Sequence, residues 1–215
     1  NREFGIVLGL EIRPESYTAI GVDLSGEVVF SRFERMQITG ENLVPAIHTI
    51  VDRMRAEFDR PGFPLLRVGL GASGVVDPQR GRIEYSIPLS ITEAMDVATV
   101  VREKVDVPFL IENDANACAW GELAFHRHRE LRDVLFVLVE LRELNDPTRI
   151  HEHTAVGLGF VIDGSVHYGR QYSAGEFRSL FRAPDSPGQF SLTKDDSFQM
   201  DQDPQIMTRF LRELA

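Results

Sequence analysis

The sequence predicts an α/β protein with mixed sheets, built as one large domain or two small lobes, and three observations carry this reading. Strand-like apolar runs open the chain in hairpin succession. Amphipathic helical spacing then alternates with further strands. Two of those strands end abruptly in glycine-rich or polar residues, where an open α/β sheet places its ligand crevice. With 215 residues, 43% of them hydrophobic, the chain can bury a sizeable core.

Taken in order, Ile6 to Ile12 and Tyr17 to Leu24 are the first two strands, joined by Arg13-Pro14-Glu15-Ser16, and Glu27 to Phe33 is the third, after the Ser25-Gly26 turn. Leu43, Ala46, Ile47, Ile50, Val51 and Met54 recur at helical spacing behind a capping region, Thr39-Gly40-Glu41-Asn42. His48 among them reads as a partly buried surface histidine. Leu65 to Leu70 is a strand running into Gly69-Leu70-Gly71-Ala72-Ser73-Gly74. Missing Cβ atoms there let the backbone turn sharply or approach a ligand. Residues 92 to 104 form an amphipathic helix with Ala94, Val97, Val100 and Val101 inward, Val107 to Ile111 is a strand, and 115 to 128 is an alanine-rich helix. The division between lobes is placed at 1–117 and 118–215. In the second lobe, Val134 to Glu140 and Thr154 to Ile162 are strands, and the Asp163-Gly164 turn leads to a third at Val166 to Tyr168. Residues 141–153 are a charged insertion. Residues 183–204, rich in Pro, Asp, Ser and Gln, read as loop or disorder. A terminal helix, Pro204 to Leu214, carries Ile206, Met207, Phe210, Leu211 and Leu214 on one side for docking.

Composition excludes several classes. A net charge of -10 and dispersed arginines argue against a nucleic-acid surface in this chain, since phosphate binding needs clustered Lys and Arg. The single Cys118 excludes an internal disulfide and a thiolate zinc site, and fits a reducing compartment. No apolar run reaches membrane-spanning length and no export signal opens the chain, so a soluble, cytoplasmic protein with no membrane partner is expected. The pairs His126/His128 and His151/His153 have ligand-like spacing. They lack a third and fourth partner, so no metal site is expected.

The strongest site signal is Ile111-Glu112-Asn113-Asp114-Ala115, where a buried strand delivers polar side chains to its carboxyl end. Asp114 is placed to accept a proton from a substrate hydroxyl, a task for an ionised carboxylate within hydrogen-bond reach. Capping of the following helix by Asn113 or Asp114 accounts for the same residues without any ligand.

Four segments in fixed order resemble the ROK family of sugar kinases and sugar-responsive repressors. They are Gly9-Leu10-Glu11-Ile12 with the hairpin to Gly21-Val22-Asp23-Leu24-Ser25-Gly26-Glu27, then Gly69 through Asp77, then Glu112-Asn113-Asp114, then Thr154 through Gly175-Glu176. The resemblance covers about residues 5 to 180. It implies the actin/RNase-H-like ATPase fold in two lobes, the second incomplete. It also implies that Asp114 is the catalytic base of an active enzyme, that Asn113, Asp114, Glu176 and Gly74 bind sugar, and that Thr154 and Gly157 are what remains of a nucleotide site.

The sequence also departs from the family. Ser179 stands where a histidine is expected, and Pro88 stands for an asparagine. The first phosphate loop, Asp-x-Gly-Gly-Thr-like in the kinases, reads Glu11-Ile12-Arg13-Pro14-Glu15-Ser16. The second, Gly-Thr-Gly-x-Gly, reads His153-Thr154-Ala155-Val156-Gly157. Phe181 to Phe198 contains no cysteine, so the family's structural zinc is not expected. The resemblance therefore implies a sugar-sensing, effector-binding domain of a transcription regulator without kinase activity. The alternatives are an ATP-dependent, glucokinase-like hexose kinase with divergent loops, using ATP and Mg²⁺, and a degenerate scaffold. The expected partner is a sugar or sugar phosphate, with DNA reached only through a separate domain outside these residues. A homo-oligomer is left open.

Overall fold

The structure is a computed structural model that describes residues 5–58, 64–125, 131–141, 154–186, 188–200 and 202–214. Strands β1 (Ile6–Arg13), β2 (Ser16–Asp23) and β3 (Val28–Arg35) form an antiparallel meander, followed by helix α1 (Leu43–Phe58) and strand β4 (Leu65–Ala72). Three short strands follow, β5 (Val75–Asp77), β6 (Arg82–Tyr85) and β7 (Met95–Asp96), and then α2 (Val97–Arg102), β8 (Phe109–Asn113) and α3 (Asp114–Phe125). Strands β9 (Val134–Leu141), β10 (Thr154–Ile162) and β11 (Ser165–Val166) precede helices α4 (Lys194–Gln199) and α5 (Pro204–Leu214).

The main sheet has the order β3-β2-β1-β4-β8, with β1, β4 and β8 parallel and the hairpin strands antiparallel. Period-two alternation sends Leu8, Leu10 and Ile12 of β1 and Val68, Leu70 and Ala72 of β4 to one face, where they are buried. Residues Leu43, Ile47, Ile50 and Val51 of α1, one helical stripe, cover that face together with Val97 and Val101 of α2. Each such aliphatic side chain, fully buried, contributes about 1.5–3 kcal/mol. As the sequence indicates, His48 is half-buried, with Nε2 3.1 Å from the Val101 carbonyl.

The second sheet, β11-β10-β9, is antiparallel. Asp163 (φ 50) and Gly164 (φ 75) both take the left-handed conformation that a tight hairpin with primed geometry requires. On one side of this sheet Val156 packs with Phe190, Met200, Ile206 and Phe210, so α5 docks as its apolar stripe predicts. On the other side lies α3. Its alanines leave a flat surface, and β10 meets it with glycines. A Cβ at Gly159 would stand 2.7 Å from the Ala115 carbonyl and 2.9 Å from the Ala119 Cβ. A Cβ at Gly71 of β4 would touch Ala117 and Asp114 at 3.9 Å. The helix thus lies between the two sheets, and the proposed 117/118 division falls within it.

Four expectations need correction. The helix predicted over 92–104 is six residues, Val97–Arg102, because Asp96 caps it by accepting from the Thr99 amide while Met95 and Asp96 pair with β6. Ala94 and Val100 are consequently exposed, Val100 by 38%. Within 183–204, α4 forms on a capping box in which Thr193 and Asp196 each bond the other's backbone amide. Leu211 faces solvent and is 54% exposed, so it takes no part in docking. The pairs His126/His128 and His151/His153 and the insertion from 142 to 153 lie outside the described residues.

Candidate ligand-binding cleft

The tips of β4, β8, β9 and β10 converge on a cleft with a cavity volume of about 140 Å³. The six residues expected to bind sugar or nucleotide all line it: Gly74, Asn113, Asp114, Thr154, Gly157 and Glu176. Pro88, the replacement for an asparagine, lines it as well, whereas Ser179 is buried outside it, its amide donating to the Gln189 carbonyl at 2.8 Å.

The cleft is shaped by backbone close approach. Gly74 has φ +112, and a Cβ there would stand 2.3 Å from the Tyr85 carbonyl. The side-chain Nδ2 of Asn113 donates to the Gly74 carbonyl (3.0 Å), and its Oδ1 accepts from the Asn116 amide (3.0 Å). Asn113 therefore caps α3 and also ties the β8 tip to the glycine turn. One oxygen of Asp114 accepts from the Ala115 amide at 2.8 Å, and the other accepts from the Ser73 hydroxyl at 2.7 Å. These donors fix both oxygens of the carboxylate at the first turn of α3. Gly157 brings β10 against this corner, since a Cβ there would lie 3.1 Å from the Ala115 Cβ and 3.7 Å from Asp114 Oδ1.

Glu176 enters from the facing side, next to Gly157 across an isolated bridge. Its pKa is raised, first by burial and then by the charge of Asp114, with Arg178 opposing. Among the described residues none donates a hydrogen bond to its carboxylate. Gly175 beside it is required, because a Cβ would fall 1.9 Å from the Leu158 carbonyl. Thr154 is buried, and its Oγ1 has no hydrogen-bond partner among the described residues.

Beyond Glu140, which lines the cleft, polar groups of the chain bond one another. The segment after β1 is a tight turn at Pro14-Glu15 whose carbonyls accept from the Ile38 (2.8 Å) and Met36 (3.0 Å) amides. The guanidinium of Arg13 donates to Glu11 from Nε (3.0 Å) and Nη2 (2.7 Å), and its Nε lies 3.3 Å from the buried Glu140 of β9. Burial works against the Arg13 charge. The hydrogen bond to Glu11 and the charges of Glu11, Glu140 and Asp114 outweigh it, so its pKa is raised. Gln189 takes both backbone groups of Val156: its Oε1 accepts from the amide at 2.8 Å and its Nε2 donates to the carbonyl at 2.8 Å and to the Phe177 carbonyl at 3.0 Å.

Sequence reasoning missed Glu140 and Gln189. Glu140 is legible as the one acid within the apolar run Val134–Leu141. Gln189 leaves no local signal, because its partner Val156 is 33 residues away. Among the described residues no group of His, Cys, Asp or Glu is arranged to hold a metal ion. No helix among them is long and apolar enough to cross a membrane.

A mixed sheet of order β3-β2-β1-β4-β8 facing a second sheet across a ligand cleft is the actin/RNase-H-like arrangement of the sugar kinase fold. The model of the ROK family matches residues 7–178, and the chain belongs to the ROK family. It is 28% identical over 181 residues to a glucokinase of Streptomyces coelicolor, covering 84% of this chain and 51% of that protein. It is 24% identical over 181 residues to a xylose repressor of Bacillus subtilis, covering 82% of this chain and 42% of the repressor. Among solved structures it is similar to a ROK family glucokinase from Streptomyces griseus in complex with glucose and AMPPNP (TM-score 0.66, 27% identity, 85% of this chain and 53% of that one). A ROK family transcriptional regulator, a homolog of the E. coli MLC protein, shares the fold at TM-score 0.68 and 17% identity, covering 86% of this chain and 44% of that one. The chain spans about half the length of the curated relatives it matches.

Proposed function

We propose that this chain is the sugar-sensing domain of a ROK-type transcription regulator and performs no phosphoryl transfer. The observation that carries the reading is the occupation of β10 by Gln189. Backbone N–H groups at such a strand start are what a phosphate cradle requires, and here the Val156 amide is already bonded by Gln189 Oε1. The β1–β2 turn supports the same reading. Pro14 has no N–H, and the carboxylates of Glu11 and Glu140 would repel a phosphate. The residues present do not fit Mg²⁺ and ATP.

The opposite end fits a polyol. Asp114 and Glu176 are acceptors for sugar hydroxyls, and the second Nδ2 hydrogen of Asn113 can serve a hydroxyl oxygen. Contact with DNA would come through a separate domain, in the cytoplasm, and no structural zinc is required. The kinase reading keeps one supporting observation, the Asp114 carboxylate held by the Ser73 hydroxyl at the cleft. The deciding assay is ADP formation from ATP and Mg²⁺ over a panel of hexoses and pentoses. No turnover is expected, and turnover abolished by Asp114→Asn would establish the kinase.

A further inference from the structure

The segment that carries Glu176 is held to the first lobe by a polar chain that the sugar site itself does not use. The Tyr168 hydroxyl donates to Glu112 Oε2 at 2.7 Å and accepts from Trp120 Nε1 at 2.9 Å. The other oxygen of Glu112 accepts from the Asn113 amide at 2.8 Å. One carboxylate therefore connects the residue before Asp114 to the start of the loop that ends in Glu176. Three different elements supply the groups: the β8 tip, the middle of α3, and the stretch after β11.

The loop from 168 to 176 is closed on Tyr168. The Ala174 amide donates to the Tyr168 carbonyl (3.2 Å), and the Glu176 amide donates to the Ser173 carbonyl (3.2 Å). Gly169 (φ +69) packs against Ala174, and Tyr172 (φ 57) packs its ring edge on Tyr168 with centroids 5.9 Å apart. The ring of Tyr168 packs in turn on the small cluster of Ala119, Val161 and Val166. A left-handed conformation at a tyrosine persists only where the surroundings enforce it. Tyr168 bonds the start of this loop to Glu112 of β8, and Tyr172 adds a second tie through a side-chain hydrogen bond with Asp77 of β5.

We infer that Tyr168 is a positioning residue: its hydroxyl straps the 168–176 loop to Glu112 and so sets the placement of Glu176 opposite Asp114. A hydrogen bond to a carboxylate is about twice as strong as a neutral one. Removing it loosens the loop at its hinge, with the Tyr172–Asp77 bond still in place, and leaves both sheets intact. The affinity part of this inference rests on the sugar-binding reading of the cleft. The loop-holding part does not.

The chain contains one tryptophan, Trp120, and its indole N–H bonds the residue in question, so its emission reports on the strap directly. Tyr168→Phe is compared with the wild-type chain by amide hydrogen exchange, tryptophan fluorescence and titration with D-glucose and D-xylose. The expected result is exchange at Ala174 and Glu176 faster by about tenfold, unchanged exchange at Leu8 and Leu10 of β1, and an altered Trp120 emission. The Kd of a sugar that binds the wild type is expected to rise by about the same factor. Glu112→Gln, which keeps shape and an acceptor, gives a smaller opening at the same amides, and it stands in should Tyr168→Phe not fold. Unchanged exchange at Ala174 and Glu176 would overturn the inference, as would an increase spread equally over β1. If no sugar binds the wild type while the two amides still respond, the sugar reading fails and the strap stands.

Discussion

At one end of the cleft the protein holds polar groups open, and at the other it has spent them on itself. Asp114 and Glu176 face each other across the gap, their backbone neighbours fixed by Gly74, Gly157 and Gly175, and Glu176 keeps a carboxylate that no described residue bonds. Arg13 and Pro14 at the end of β1, and Val156 of β10, belong to the segments that the proposed reading assigns to a lost phosphate site. Pro14 has no amide hydrogen, the Arg13 guanidinium is paired with Glu11 and Glu140, and the Val156 amide is taken by Gln189. On the proposed reading, the contrast teaches that recognition of hydroxyls and recognition of phosphate can be separated in this fold, because the groups concerned sit on different strand tips.

Substitutions at the two ends test that separation. The largest effect is expected at Gly74→Ala, where the new Cβ meets the Tyr85 carbonyl at 2.3 Å in a backbone conformation unsuited to alanine. Urea denaturation should show a loss on the order of 3 kcal/mol. A tolerated alanine would mean that the hydroxyl end is not built on that close approach. Next comes Asp114→Ala. Calorimetric titration should show sugar affinity falling about 10- to 100-fold, the worth of a hydrogen bond to a charged group, with a stability loss of about 1 kcal/mol from the helix terminus. Gln189→Ala should cost about 1–2 kcal/mol by leaving the Val156 backbone unpaired. It should bring no stabilisation by ATP and Mg²⁺, because Pro14 still offers no donor. Stabilisation by nucleotide in this variant would locate the whole loss of phosphate binding in one side chain.

The smallest effect is a pH dependence. Glu176 has a raised pKa in the folded state, so it holds its proton more tightly there than in the unfolded chain, whose value is 4.5. The stability this gives is full below that unfolded value and is lost as pH rises through the folded one. Glutamine mimics the protonated form at every pH. Glu176→Gln should therefore melt above the wild type at pH 7 and with it near pH 4, while its sugar response weakens. Glu112, whose pKa is also raised, chiefly by burial, contributes equally to both proteins and cancels.

The parts of the fold that were legible in the sequence are those long enough to show a period. Leu8, Leu10 and Ile12 alternate, and Leu43, Ile47, Ile50 and Val51 fall on one helical stripe, so β1 and α1 could be drawn before any coordinates. Strands β5 and β7, of three and two residues, are too short to carry a period. Helix α4 had its signal in Thr193 and Asp196, masked by surrounding Pro, Ser and Gln. At the cleft, Asn113, Asp114 and Gly74 were visible because polar or glycine residues interrupt apolar strands. The capping bond from the Asn116 amide to Asn113 shows that the ligand-free reading of that residue describes its contacts as well. Gln189 was not visible, since side-chain imitation of a backbone partner depends on a chain reversal that no local pattern encodes.

The most direct test of the separation between the two ends is thermal unfolding of the chain with D-glucose, with D-xylose, and with ATP and Mg²⁺, each in large excess. A ligand at about 100 times its Kd adds about 2.7 kcal/mol, which raises Tm by roughly 5–10 °C for a chain of this size. The account predicts such a rise with a sugar and none with ATP and Mg²⁺. A rise with ATP and Mg²⁺ would contradict it.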